Sequence, residues 1–224
     1  MFDFNGTLSD DEPLLFAILS DLFAEHGRPL SEEDYYGRLA GLSDPEIVRL
    51  WLGEDHPDVE TVVAERVARY RAAVSDGSTI PPEARAAVLE AAGRVPVAVV
   101  SGAHRDEVVP ALAAAGLAQV VGVVVTTEDV PRGKPDPAGY LLALELLDDG
   151  LSAENVTVFE DTEAGVASAK AAGMRCVAIP GTHAPERLAL ADELAPAYGF
   201  RGWRRSACRP PWPRRRRPRC PRRR

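Results

Sequence analysis

From Glu83 onward the chain alternates helical patterns with short valine-rich runs that show no polar–apolar alternation. Strands are expected at Val95–Val100, Val120–Val125, Val156–Phe159 and Cys176–Ile179. Helices are expected at Glu83–Ala92, Asp106–Ala115, Ala138–Leu147 and Ala164–Ala172, with Gly116 and Gly173 ending the second and the fourth. Short apolar strands without alternation are buried on both faces, as in parallel sheets. Strand–helix alternation then specifies a doubly wound α/β sheet. A stub at Phe2–Phe4, directly after Met1, reads as the first strand.

Between that stub and Pro81-Pro82 the pattern is helical only. Leu14–Glu25 has helical apolar spacing and stops at Gly27; Ser31 caps a helix to about Leu39. Ser43-Asp44-Pro45-Glu46 reads as a capping box that opens a helix to Leu52, and Asp58–Val74 is a further periodic helix. The expected architecture is therefore an α/β Rossmann-like parallel sheet core, residues 1–12 and 80–200, with a helical domain, 13–79, inserted after the first strand.

Charge divides the chain differently. Residues 201–224 hold 12 arginines and no acid, which leaves 14 basic and 34 acidic residues for 1–200, a net of −20. The tail is expected to be a disordered Arg/Pro-rich segment. It reads either as a basic arm for nucleic acid or an anionic surface, or as out-of-frame translation of GC-rich coding sequence. Its lost helical periodicity favours the second reading. The acidic body argues against nucleic acid as the main partner. A small phosphorylated metabolite remains possible, because a metal offsets its charge locally. No run of 18 apolar residues is present, so no membrane span is expected. No signal peptide is read at the start, and Cys176, Cys208 and Cys220 form no CxxC pair. A reducing, cytoplasmic setting is the expectation.

Ligands of open α/β sheets bind beyond the carboxyl ends of the strands. Asp3-Phe4-Asn5-Gly6-Thr7 follows the first strand and Ser101-Gly102 the second. Gly133-Lys134-Pro135-Asp136 comes after the third, and Glu160-Asp161 after the fourth. A carboxylate can attack phosphorus and form an aspartyl-phosphate. Lys134 and a divalent metal would supply the positive charge that attack on a dianion needs. Mg²⁺ prefers oxygen ligands, and Asp3 and Asp161, with Glu160 beside them, fit that role. Ser101 can donate to a phosphoryl oxygen, while Gly6 and Gly102 leave backbone N–H groups open to the same group.

These residues resemble, in order and spacing, the four motifs of the haloacid dehalogenase-like hydrolases, in the branch of small phosphatases and β-phosphoglucomutase-like enzymes. The motifs are Asp3-Phe4-Asn5-Gly6-Thr7, Ser101, Lys134, and Glu160-Asp161 with Gly165; Gly133-Lys134-Pro135-Asp136-Pro137 and Ala169-Lys170-Ala171-Ala172-Gly173 match as linking phrases. The similarity spans about residues 2–190. It implies a helical cap after the first motif, Mg²⁺, and an aspartyl-phosphate on Asp3. It further implies Asp3, Asn5 and Lys134 as catalytic, with Thr7, Ser101, Gly102 and Lys134 at the phosphate. Metal ligation falls to Asp3, the Asn5 backbone carbonyl, Glu160 and Asp161. Gly41-Leu42-Ser43-Asp44 lies where caps of this type contact substrate.

Asn5 departs from the family pattern, which places an aspartate there to protonate the leaving group and activate water. An amide cannot cycle a proton. Two expectations follow: slow hydrolysis of small phosphomonoesters (phosphoglycolate, sugar phosphate or nucleotide), or an impaired phosphate-binding or regulatory protein. Phosphonate hydrolases of the family need a cap lysine, and 13–79 contains none. Its dehalogenases carry an aromatic residue at the place of Asn5 and use no metal. The first strand is also short for the family, so either the true start lies upstream or the central strand is clipped.

Overall fold

The computed structural model describes residues 1–74, 76–147 and 150–195. The Arg/Pro-rich tail 201–224 and residues 196–200 of the expected core lie outside the described residues.

Among the described residues there are five parallel strands: β1 (Ala98–Val100), β2 (Val123–Val125), β3 (Thr157–Glu160), β4 (Arg175–Ala178) and β5 (Glu193–Leu194). β1 pairs with β2, and β3–β4–β5 form a second run. The N-terminal stub joins the two. Phe2 bridges Val99 on one side and Phe159 on the other, both in parallel sense. Phe2 N–H donates to Ala98 O (2.9 Å) and Asp3 N–H to Phe159 O (3.0 Å). The expected first strand is thus a pair of bridges at mid-sheet. It is held there by a nearly inaccessible Phe2 ring stacked on Phe159 at 5.0 Å.

Helices cover both faces. On one side α5 (Pro82–Ala92) and α6 (Arg105–Ala114) close a core of Phe2, Phe4, Val88, Val99, Leu112 and Leu117. On the other, α7 (Ala138–Leu147) and α8 (Glu163–Ala171) cover Val100, Val125, Tyr140, Val158 and Cys176. At roughly 25 cal/mol per Å² of apolar surface buried, these two layers are the main favourable contribution to folding.

Two expected strands are shorter than their valine runs. Val95 N–H closes α5 by donating to Ala91 O (2.9 Å), and Pro96 has no amide, so the ladder of β1 starts only at Ala98. Val120 and Val121 N–H both turn back to Leu117 O, which leaves Val123–Val125 as β2.

The segment after the stub is helical: α1 (Glu12–Glu25), α2 (Glu32–Asp34) continuing as one π-helical turn over Tyr35–Leu39, α3 (Asp44–Leu52) and α4 (Val59–Val74). Ser31 caps α2 through Asp34 N–H (3.1 Å), and the Glu46 carboxylate accepts Ser43 N–H (2.9 Å) at the start of α3. These helices share their own apolar cluster, with Leu22, Phe23, Leu39, Val48 and Tyr70 fully inside. The insert touches the core at several places. Arg66 of α4 pairs with Glu107 of α6, Arg187 Nη1 donates to Tyr36 O (3.3 Å), and Gly41 lies against Thr162.

Candidate active site

The loops that leave the first strand, β1, β2 and β3 meet at one edge of the sheet. Lys134 Nζ donates to Asp3 Oδ1 and to Glu160 Oε1, both at 2.5 Å, and to Val100 O at 3.2 Å. Glu160 is fully buried; its Oε1 also accepts Tyr140 O–H (2.8 Å), and its Oε2 accepts Asp161 N–H (3.1 Å) and Thr162 Oγ1–H (3.1 Å). Asp161, equally buried, accepts the Thr7 hydroxyl (3.0 Å) and the Thr182 hydroxyl.

Two glycines are required by this packing. Gly6 has φ +69°, and a Cβ there would stand 2.0 Å from Asp161 Oδ2. A Cβ at Gly165 would stand 1.9 Å from the Glu160 carboxyl carbon. Neither position tolerates a side chain while both carboxylates stay where they are.

Burial pushes the Asp3 carboxyl up to about 7 against the pull of Lys134, with Glu160 adding to the rise. Burial and the neighbouring Asp3 and Glu160 hold Asp161 well above the usual carboxylate range. Burial also works against the Lys134 ammonium, yet Asp3 and Glu160 outweigh it and hold the amine above its ordinary value. With all three carboxyls ionised, three buried negative charges face the one ammonium of Lys134, a deficit of two positive charges. Ligand oxygens of Asp3, Glu160 and Asp161 all lie within 4.8 Å of one another. An all-oxygen donor set short by two charges fits a hard divalent cation of the Mg²⁺ kind.

Asp3, Asn5, Ser101, Gly102 and Lys134 line a cavity of about 90 Å³ between core and insert. Ser101 is buried and its Oγ accepts Ala103 N–H (3.0 Å), leaving its own hydrogen free to donate; Gly102 is exposed. Asn5 Nδ2 donates to Asp11 Oδ2 (2.9 Å), and Gly6 N–H donates to Asp11 Oδ1 (3.3 Å). Thr7 is turned away from this cavity, its hydroxyl committed to Asp161.

The model of the family described as "Haloacid dehalogenase-like hydrolase" matches residues 1–179. The chain belongs to this family. The hydrolase is 35% identical over 199 residues to a validoxylamine A 7'-phosphate phosphatase of Streptomyces hygroscopicus subsp. limoneus, covering 87% of this chain and 91% of that protein. It is 30% identical over 177 residues to a phosphorylated carbohydrates phosphatase of Thermotoga maritima, covering 78% and 81%. Among solved structures it superposes on CbbY (mutant D10N) of Rhodobacter sphaeroides in complex with xylulose-(1,5)bisphosphate. The TM-score is 0.78 at 27% identity, with 88% of this chain and 92% of that chain covered.

Several residues that shape the hydrolase's site carry no signal in the sequence. Asp11 is fully buried and receives the Tyr70 hydroxyl as well as Asn5; burial raises its carboxyl. Tyr140 and Thr182 tie down Glu160 and Asp161 from α7 and from the loop after β4. Asp44 and Arg66 line the cavity from the insert, and Glu12 from the start of α1. Only Asp44 lies within the stretch read as a substrate-contacting loop. The others are single polar residues inside amphipathic helices, where spacing alone marks them as ordinary helix charges.

Proposed function

We propose that this hydrolase is a phosphatase that releases phosphate from small phosphorylated metabolites by attack of Asp3 and formation of an aspartyl-phosphate. The reading rests on one observation: a buried carboxylate facing the cavity, with the Lys134 ammonium 2.5 Å away and a cluster of acids beside it. Named phosphatases among its relatives support it and stand against a purely phosphate-binding role.

In this reading Asp3 is the nucleophile and Lys134 holds it while offsetting charge on the phosphoryl oxygens. Asp3, the Asn5 backbone carbonyl and Asp161 would hold Mg²⁺, with Glu160 positioning Lys134. The metal, when bound, supplies charge neutralisation at the phosphoryl group. Ser101 Oγ–H and the exposed Gly102 N–H bind the phosphoryl oxygens, and Thr7 acts on the site through Asp161 rather than on phosphate. Residues 13–79 form the cap that closes the cavity from water. Asn5 leaves the proton to another group or to solvent, so turnover is slow. The lone described cysteine, Cys176, is buried and free. Among the described residues, no helix is long and apolar enough to cross a membrane.

Phosphate release from a panel of sugar phosphates, phosphoglycolate and nucleotides tests this reading. Turnover is expected with Mg²⁺, lost with a chelator and absent in Asp3→Ala. Asn5→Asp is expected to raise kcat by roughly 10²–10⁴-fold. Turnover that survives in Asp3→Ala would end this reading.

A further inference from the structure

The Asn5 amide cannot cycle a proton, and it is already engaged, with Nδ2 donating to Asp11 Oδ2 (2.9 Å). A leaving alkoxide still needs a proton, and water attacking an aspartyl-phosphate must give one up. The group that moves this proton must border the cavity of Asp3, be titratable, and hold an atom open to it.

Most titratable groups on that cavity fail one of these conditions. Lys134 Nζ is divided among Asp3, Glu160 and Val100 O. Asp136 has one oxygen on Ala138 N–H (3.0 Å) and the other on Arg132 (2.8 Å). Arg66 and Arg132 do not deprotonate in proteins. Asp44 lies against Arg66, and its Oδ2 is sealed from solvent. Tyr35 is buried and donates its hydroxyl hydrogen to Glu12.

Glu12 meets all three. It opens α1, borders the same cavity as Asp3 and Asn5, and is half-buried. Its Oε2 accepts Tyr35 O–H (2.8 Å), which fixes the orientation of the carboxyl. Its Oε1 has no hydrogen-bond partner among the described residues. That oxygen is not enclosed either: the buried side-chain atoms without partners are Ser9 Oγ, Asp44 Oδ2, Arg66 Nε and Thr79 Oγ1. Glu12 directly follows Asp11, the residue that holds the Asn5 amide, and its charge is felt across the cavity at Asp161. Burial raises the Glu12 carboxyl to about 7, with Asp11 adding to the rise and Tyr35 and Arg66 pulling against it. An acid poised near neutral pH is available in both of its protonation states.

Resting on the phosphatase reading, we infer that Glu12 is a catalytic residue, the general acid and base that stands in for the aspartate replaced by Asn5. In the first step an Asp3 oxygen bonds to phosphorus and the bond from phosphorus to the leaving oxygen breaks. The proton on Glu12 Oε1 passes to that oxygen. In the second step the Glu12 carboxylate takes a proton from a water whose oxygen bonds to phosphorus. The bond between phosphorus and Asp3 breaks, which frees inorganic phosphate and restores both residues.

The test compares leaving groups, using the full chain with Mg²⁺. p-Nitrophenolate departs without a proton, whereas an alkoxide does not. Glu12→Gln is expected to lower kcat/KM by roughly 10²-fold or more on the best alkyl phosphate among glucose 6-phosphate, fructose 6-phosphate and phosphoglycolate. On p-nitrophenyl phosphate the loss is expected to be at least about tenfold smaller. Glu12→Asp keeps an acid and should retain more alkyl-phosphate turnover than Glu12→Gln. In an Asn5→Asp background, where an acid is back at the family position, adding Glu12→Gln should cost the alkyl substrate less than about threefold. Equal losses on alkyl and aryl phosphates, or a loss undiminished by Asn5→Asp, overturn the role of Glu12 and leave the attack by Asp3 standing. Hydrolysis of the aryl phosphate alone by the unmodified chain does the same. Hydrolysis of none of these substrates overturns the phosphatase reading and this inference with it.

Discussion

Arg66→Met removes the one cation between two carboxylates that have almost no solvent of their own. Glu107 is 1% exposed and Asp44 7%, and both are within ion-pair reach of the same guanidinium. Breaking a buried pair by deleting one partner costs about 3–5 kcal/mol, because the orphaned charge stays buried. That is a fifth or more of a total stability of roughly 5–15 kcal/mol, and corresponds to a Tm loss of roughly 6–20 °C in a chain of this size. The assay is urea unfolding at pH 7.5, with an unchanged m-value marking an unchanged native state. An internal control exists in Arg71–Asp106, which links the same two helices at 3.1 Å but is 51% and 71% exposed. Arg71→Ala should cost less than about 1 kcal/mol. At pH 5 the deficit of Arg66→Met should shrink, since the orphaned Glu107 carboxyl, which burial raises to about 7, takes up a proton there. Glu107→Gln combined with Arg66→Met should recover part of the loss, giving a coupling energy above about 1 kcal/mol. A loss no greater than that of Arg71→Ala, or a coupling near zero, refutes the reasoning.

Phe2→Ala should destabilise by about 3–5 kcal/mol in the same assay, since it removes a buried ring from the centre of the sheet. Gly165→Ala should abolish turnover while far-UV dichroism stays unchanged, because the new methyl must displace the Glu160 carboxylate; normal kcat in this variant would mean that Glu160 does not position Lys134. Burial raises Glu12 from 4.5 to about 7. Between those values the folded chain keeps a proton that the unfolded chain has lost, so stability falls as pH rises through that window. Glu12→Gln should remove that slope, worth about 1–2 kcal/mol between pH 5 and 8 for a half-buried group.

The sheet was legible in the sequence because β1 and most of β3 and β4 are buried, and their short apolar runs show no polar alternation. Their ends were not. Val95, Val120 and Val121 are as apolar as the residues in the ladder, but their amides belong to turns that depend on neighbours packed from afar. β5 is two residues long and pairs only through Val177 and Ala178, too short to leave a pattern. On the core side of the site, Asp3, Ser101, Lys134 and Asp161 were visible because each follows a strand. The resemblance implies Thr7 at the phosphate, and its hydroxyl donates to Asp161. The rest of the cavity wall was mostly hidden, since Glu12 and Arg66 owe their place to helix orientation and not to any local motif.

The position of Asp3 is a matter of register. Four main-chain hydrogen bonds set it: Phe2 N–H to Ala98 O, Val100 N–H to Phe2 O, Asp3 N–H to Phe159 O and Phe159 N–H to Met1 O. Because strand side chains alternate faces, a slip of one residue would carry Asp3 away from Lys134 and bring an aromatic ring in its place. Met1 and Phe2 also belong to the two packed layers, so this register cannot be lost without opening both. Amide exchange at Phe2 and Asp3 should then rise on warming only with the global transition.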